Sequence, residues 1–302
     1  VDTDLTGRTA LVTGANGGIG YWTSVGLARR GAHVVFGCRS AEKADAAVAA
    51  LRGVVPHAGT SVLLLDLADL GSVRRAAETF AAGTDRLDLL INNAGIAMNP
   101  FSHTIDGFEA HFGTNFLGHF ALTALLADTL RATPASRVVH VSSLQHRFAR
   151  LHLDDPSFDH RRYFPWRGYG ESKLAVLLFA HELDRRLRAV GSSTRSIGCH
   201  PGIAGTEIIE EMPVVGSPRL RPAARWVSDH LVPSPEAAAT PILHAATAPD
   251  VVGGSYIGPS GRFGVRGAPD LARPSRRARS HEDAAALWVL AERMTGLRFD
   301  LT

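Results

Sequence analysis

Short apolar runs alternate with stretches of helical spacing along most of the chain. RTALVT (8–13), HVVFGC (33–38), SVLLLD (61–66), LDLLIN (87–92), RVVHVS (137–142) and TRSIGC (194–199) are apolar and rich in β-branched residues. Between them, 18–30, 41–52, 70–82, about 104–131 and 171–190 carry helical periodicity or helix-forming composition. Near-continuous apolar strands, unlike alternating ones, are covered on both faces, as in a parallel sheet. Strand and helix repeated this often predict an α/β fold with a doubly wound parallel sheet of Rossmann type, in three αβα layers. No linker, repeat or composition break interrupts the pattern, so 1–302 is expected to be a single dinucleotide-binding and catalytic domain. The weakly patterned stretches, 144–168, 203–235 and 258–281, follow predicted strands; the first two are the expected substrate loops.

Composition adds mainly exclusions. A net charge of +3 over 302 residues is slight, and the basic runs HRR (160–162) and RRARS (276–280) are isolated, so a nucleic-acid partner is not expected. Cys38 and Cys199, the two cysteines, each end a predicted strand and are expected to be buried reduced thiols rather than a disulfide or a zinc site. The 14 histidines form no metal-binding pair on a credible helix, and no metal is expected. With no apolar run of about 18 residues, the expectation is a cytoplasmic protein without a membrane anchor.

The polar clusters are more informative, because each follows a predicted strand: TGANGGIG, CRS, DLAD, NNAG, SSLQH and CHPG. In a doubly wound sheet that edge is where ligands bind. The first cluster puts Gly14, Gly18 and Gly20 between a strand and a helix, where free backbone N–H groups face an anion. It lacks the Gly-Lys-Ser/Thr ending of a nucleotide triphosphate loop. After the second strand stands Arg39 with no acid beside it. An acid there suits ribose hydroxyls, whereas an arginine fork suits a 2′-phosphate, which favours NADP(H) over NAD(H). Tyr169 and Lys173 are spaced i, i+4 and share one helix face. Free tyrosine titrates near pH ~10, and a neighbouring ammonium is expected to lower that value into a range useful for proton exchange with a carbonyl or alcohol oxygen. Opposite lies the serine pair Ser142-Ser143, either of which could hold the substrate oxygen.

Taken in order, these motifs resemble the short-chain dehydrogenase/reductase family over roughly residues 6–258. The matching residues are T-G-x-x-x-G-x-G from Thr13 to Gly20, N-N-A-G at 92–95, Asn115, the strand-end serine, Tyr169 with Lys173, and Pro201-Gly202. The resemblance implies Tyr169 as acid/base and Ser143 as the orienting hydroxyl. It implies Lys173 as holder of the nicotinamide ribose and modulator of the tyrosine, and Asn115 as support for a proton-relaying water. For the cofactor it implies Asn16 and the amides of Gly18, Ile19 and Gly20 at the phosphates, and Asp66 and Leu67 at the adenine. Asn93, Ala94 and Gly95 then face the ribose, and Pro201, Gly202 and Thr206 the nicotinamide. GTNFLGHF (113–120), VSSLQH, the serine–tyrosine spacing and LWVLAERMTG near the end narrow the resemblance to the retinol-dehydrogenase-like branch. That branch implies an NADP(H)-dependent oxidoreductase, such as a carbonyl reductase, that interconverts a lipophilic ketone or aldehyde with its alcohol. Alternatives on this scaffold are an epimerase or lyase, or a non-catalytic NADP(H)-binding protein. Relatives use the helices corresponding to 104–131 and 169–190 to form homo-oligomers. Phe148, Phe158, Tyr163, Phe164, Trp166 and Trp226 are the candidates for an apolar substrate pocket.

Overall fold

The strands hydrogen-bond in the order β3-β2-β1-β4-β5-β6-β7-β8. They are β1 (Thr9–Thr13), β2 (His33–Cys38), β3 (Thr60–Leu64), β4 (Leu89–Asn92), β5 (Arg137–Val141), β6 (Arg195–Cys199), β7 (Tyr256–Pro259) and β8 (Pro269–Leu271). This computed structural model describes residues 3–202 and 233–301. The first seven strands are parallel, and β8 departs from the expected parallel sheet by pairing antiparallel to β7. A connection of nine residues is too short for a crossover helix, so the chain can only turn back on the sheet edge.

Successive side chains of each strand go to opposite faces, and both faces are buried except at the edge strands β3 and β8, where Leu64 and Leu271 are exposed. Leu11, Val35, Leu63, Leu90 and Val138 enter one core, whereas Ala10, Val34, Phe36, Ile91, Val139 and Ile197 enter the other. The second core is covered by α1 (Gly18–Ala28), α2 (Ala41–Val54) and α7 (Pro235–Thr247). The first is covered by α3 (Leu70–Gly83), α4 (Gly118–Leu125), α6 (Pro165–Ala189) and α8 (His281–Thr295), with the short α5 (Ala127–Ala132) following α4. Phe116, Phe120, Phe179, Trp288 and Phe299 pack ring against ring in that layer. The result is the expected three-layer αβα arrangement. After β3 the chain crosses back over β1 to β4, and the crevice beyond the carboxyl ends of β1 and β4 is the topological switch point.

Two element boundaries differ from expectation in ways that shape the site. The stretch 104–131 is not one helix. His103 and Glu109 form an isolated antiparallel bridge, and Phe112–Leu117 is a π-helical turn ahead of α4. The helix expected from 171 begins at Pro165, which occupies the first turn where its missing N–H costs nothing. Tyr169 is therefore inside the helix, one turn from its start. The pattern also left α7, β7, β8 and α8 unassigned, although Ser234 and Ser280 cap α7 and α8 through their side chains and Gly296 closes α8 in the left-handed region.

Candidate active site

The glycine loop joins β1 to α1 at the switch point. Gly14 has φ +67°, and a Cβ on Gly20 would collide with the Gly14 carbonyl oxygen and with Asn93, so helix and loop touch backbone to backbone. The loop is braced from below by Thr13, whose buried hydroxyl accepts the N–H groups of Asn93 and Ala94, each at 2.9 Å. The Asn93 side chain returns a bond to the Thr13 carbonyl at 2.8 Å. His119 completes the brace. Its Nδ1 donates to the Asn115 carbonyl at 2.9 Å, which leaves Nε2 to accept from the Thr13 hydroxyl at 2.9 Å. Cys38 at the end of β2 is a buried free thiol, raised to about 11 by burial although the Asn16 and Ala15 amides point at it. Cys199 is likewise buried and free.

The N-terminus of α1 has no side-chain cap and no acid in its first turn, and Asn16, Gly17 and Gly18 are exposed. Uncapped amides at a positive helix end, walled by glycines rather than side chains, fit the phosphates of a dinucleotide. Arg39 is exposed just beyond β2 and makes no ion pair among the described residues. Asp66 is half-buried after β3, with one carboxylate oxygen accepting from the Ala68 amide at 3.0 Å, and Leu67 is buried beside it. Gly95 lies against the next cluster, since a Cβ there would meet Asn115 Oδ1 at 3.0 Å and Lys173 Nζ at 3.3 Å. Pro201 and Gly202 are buried after β6, whereas Thr206, Trp226 and most of the segment 203–235 expected to be a substrate loop lie outside the described residues.

The two serines divide their work. Ser142 Oγ donates to the Lys173 carbonyl at 2.8 Å and so ties the end of β5 to α6. Ser143 is half-buried and its hydroxyl pairs with Tyr169. His146 holds the Ser143 backbone, with Nδ1 donating to its carbonyl at 2.7 Å and Nε2 accepting from the Ser275 amide at 3.2 Å. Asn115, in the π-helical turn, has its side chain fully used. Oδ1 accepts from the Ile96 amide at 2.8 Å, and Nδ2 donates to the Ile96 carbonyl and to Ser172 Oγ, both at 3.0 Å.

One expectation is reversed in the protein alone. Burial pushes the Tyr169 hydroxyl up rather than down, and only the Ser143 bond pulls the other way. The Lys173 ammonium sits 5.7 Å from the Tyr169 ring centre and donates instead to the Val141 carbonyl at 3.0 Å. Burial lowers Lys173 itself to about 8, so its ammonium persists at neutral pH and gives up its proton only in mildly alkaline solution.

Sequence reasoning missed a second polar network beside Tyr169. Glu109 is fully buried and accepts the His111 and Phe112 amides at 3.0 and 2.7 Å and His111 Nδ1 at 2.8 Å. Tyr163 donates toward Glu109 at 3.2 Å and toward the Asn99 carbonyl at 3.0 Å. The His111 ring then stands edge-on to Tyr169, 6.1 Å between centres. The expected aromatic pocket is correspondingly dispersed. Tyr163 serves this network, Phe158 is buried against it, and Phe148 and Trp166 face solvent. No local pattern marks a carboxylate that will be paired from 54 residues away.

Four histidines around this edge are buried and held neutral. Burial brings His119, His146 and His200 to about 4 and His140 to about 3. Unfolded, each would take a proton near pH ~6.5, so the unfolded state binds more protons below that value. Stability contributed by these groups is therefore complete above about pH 6.5 and falls toward pH ~4, with a slope approaching roughly 5 kcal/mol per unit for the four together. Chemical denaturation between pH 7 and 5 should show this loss (pH values set by the experiment), and a flat profile would contradict the buried neutral assignment.

A short chain dehydrogenase profile matches residues 8–213. The chain belongs to the short-chain dehydrogenases. Within the family it falls in the retinol-dehydrogenase-like branch. Retinol dehydrogenase 13 of Homo sapiens is 39% identical over 295 residues, covering 97% of this chain and 86% of that one. Retinol dehydrogenase 12 of Mus musculus is 37% identical over 298 residues, covering 98% and 89%. Polyprenol dehydrogenase of Mus musculus is 39% identical over 296 residues, covering 96% and 84%. Among solved structures, an uncharacterized protein from Mycobacterium paratuberculosis superposes with TM-score 0.81 at 41% identity, covering 99% of this chain and 97% of that one. The RhlG/NADP active-site complex of Pseudomonas aeruginosa superposes with TM-score 0.65 at 25% identity, covering 84% and 94%. This short-chain dehydrogenase is thus an oxidoreductase of a family that uses nicotinamide cofactors. Among its described residues no helix is long and apolar enough to cross a membrane.

Proposed function

We propose that this short-chain dehydrogenase uses NADP(H) to interconvert a lipophilic ketone or aldehyde and its alcohol. The observation that carries the reading is the half-buried Ser143 facing buried Tyr169, with Lys173 one turn along α6 and joined to the glycine loop through Gly95, Ala94 and Asn93. In the reduction Ser143 and Tyr169 both donate to the carbonyl oxygen, and the Tyr169 proton stays on that oxygen as it becomes a hydroxyl. In the oxidation Tyr169 takes the hydroxyl proton back. Burial keeps the phenol protonated in the free protein, the form that reduction draws on. Ser143 fixes the oxygen, because His146 and the β5 end hold its backbone. When bound, the nicotinamide supplies or accepts the hydride at the carbonyl carbon.

Gly14, Asn16, Gly18, Ile19 and Gly20 would hold the phosphates, and Asp66 and Leu67 the adenine side. Asn93, Ala94, Gly95 and Lys173 would hold the ribose, with Pro201, Gly202 and Thr206 at the nicotinamide. Asn115, already tied to Ile96 and Ser172, would position Lys173 through a water. Arg39 favours the 2′-phosphate because it is exposed, unpaired among the described residues, and has no acid next to it. The names of the relatives, dehydrogenases of retinol and of polyprenol, support a lipophilic substrate.

The test is a panel of long-chain and ring-bearing ketones, aldehydes and alcohols, with the change in NADPH absorbance as readout. Net turnover of none of them would overturn the reading and favour an isomerising or non-catalytic protein. Arg39→Asp should weaken NADPH about tenfold or more relative to NADH, the loss of a charge-assisted contact plus a new repulsion. An unchanged NADPH/NADH ratio of kcat/KM would remove Arg39 from cofactor choice.

A further inference from the structure

On the flank of α6 a recess of about 520 Å³ opens between the first turns of the helix and the loop that follows β5. Its floor is settled electrostatically. Arg161 donates to Glu171 at 2.9 Å and to Asp155 at 3.0 Å, so that guanidinium is matched by two carboxylates. Its rim is not. Arg150, Arg162 and Arg167 also line the recess, and none of their guanidinium groups has a hydrogen bond or ion pair among the described residues. Among the described residues Glu171, engaged with Arg161 and also felt by Arg167, is the sole carboxylate in the lining.

Two of the rim arginines are nevertheless held against aromatic rings. Arg162 lies 5.0 Å from the Phe164 ring centre, and Arg167 lies 4.9 Å from Phe164 and 5.1 Å from Trp166. Stacked guanidinium groups keep their N–H edges free and lose less freedom when an oxyanion arrives. His152, also in the lining, is held below its usual value by burial first and then by Arg161 and Arg150, against the pull of Asp154 and Asp155. Beside these charges stand Phe148, 77% exposed, and Trp166, 47% exposed, both lining the same recess. Exposed rings beside exposed cations form a surface that one amphiphilic ligand would cover together, burying the rings and meeting the charges.

We infer that this recess binds an amphiphilic anion, with a carboxylate or phosphate headgroup on the rim arginines and an apolar body against Phe148 and Trp166. The recess lies one residue from Tyr169 through Gly170 and two from Ser143 through Gln145, yet neither catalytic side chain lines it. Binding there needs no cofactor and no turnover.

The experiment titrates the full chain, without cofactor, with dodecanoate below its micelle concentration, and with dodecanol as the uncharged chain of equal length. Calorimetry should show dodecanoate binding about tenfold or more tightly than dodecanol, the expected share of a charge-assisted contact. The double substitution Arg150→Gln/Arg167→Gln should remove that advantage while leaving dodecanol, the circular dichroism spectrum and NADPH affinity unchanged. Phe148→Ser should weaken acid and alcohol alike. Flotation with phosphatidylglycerol vesicles, compared with phosphatidylcholine vesicles, separates the sources. Capture by the anionic vesicles that the double substitution abolishes, without binding of free dodecanoate, assigns the headgroup to a lipid surface; the reverse assigns it to a free acid. Equal affinity for acid and alcohol together with indifference to vesicle charge overturns the inference. So does binding that the double substitution leaves intact.

Discussion

Tyr169→Phe is expected to lower kcat by ~10²–10⁴-fold while leaving NADPH affinity within about twofold of wild type, the loss that follows removal of one proton donor. The substitution deletes only the hydroxyl. The ring keeps its edge-on contact with His111 and its place in a buried helix turn, so the fold should be undisturbed. Ser143 loses its partner but remains half-exposed, with the Gln145 amide still donating to it at 3.3 Å. Single-turnover kinetics with saturating NADPH measures the step directly. Retention of full turnover would move the proton to another group and end the catalytic assignment. Ser142→Ala offers a contrast, since its hydroxyl serves the Lys173 carbonyl and not the reacting oxygen. Its loss should appear as lower stability, with a much smaller fall in kcat than Ser143→Ala.

Gly20→Ala should have the second large effect, on cofactor binding. The new methyl would overlap the Gly14 carbonyl oxygen and approach Asn93 Nδ2 at 2.6 Å, and the first of these is backbone that cannot rotate away. The loop has to move off α1, displacing the amides proposed to meet the phosphates. NADPH affinity measured by fluorescence titration should fall about tenfold or more, with an overpacking cost of ~1–3 kcal/mol in stability. Gly17 lies three residues earlier in the same loop, has φ −171°, and has open space where a Cβ would go. Gly17→Ala should leave the melting temperature unchanged, so equal destabilisation by both substitutions would refute the close-approach explanation.

Much of the architecture was legible because strands buried on both faces must be apolar at nearly every position. Five of the six runs show this plainly, the sixth being the partly exposed edge strand β3, and each matches a strand of the structure to within one or two residues. β7 and β8 escaped because they are short, of four and three residues, in a stretch rich in Gly, Pro and Arg, and β8 is an exposed edge strand. The start of α6 was misplaced because its first turn, PWRGYG, has two glycines and two bulky rings, with little helical preference of its own. Packing against the loop after β5 and the π-helical turn overrides that weakness.

At the site the same division holds. Spacing alone places Tyr169 and Lys173 on one helix face and the glycines at a strand–helix turn, because 3.6-residue periodicity and tight turns are local geometry. The choice between Ser142 and Ser143 as Tyr169's partner is not local, and it follows from which hydroxyl meets the Lys173 carbonyl when β5 and α6 pack. The direction in which Tyr169 shifts is likewise a property of burial, which outweighs a lysine one turn away. The Glu109–His111–Tyr163 network and the arginine-rimmed recess join residues brought together by folding. The order of residues along the chain settles which groups are present and which share an element. Burial and pairing across elements depend on the assembled layers, because desolvation and hydrogen bonding act through space.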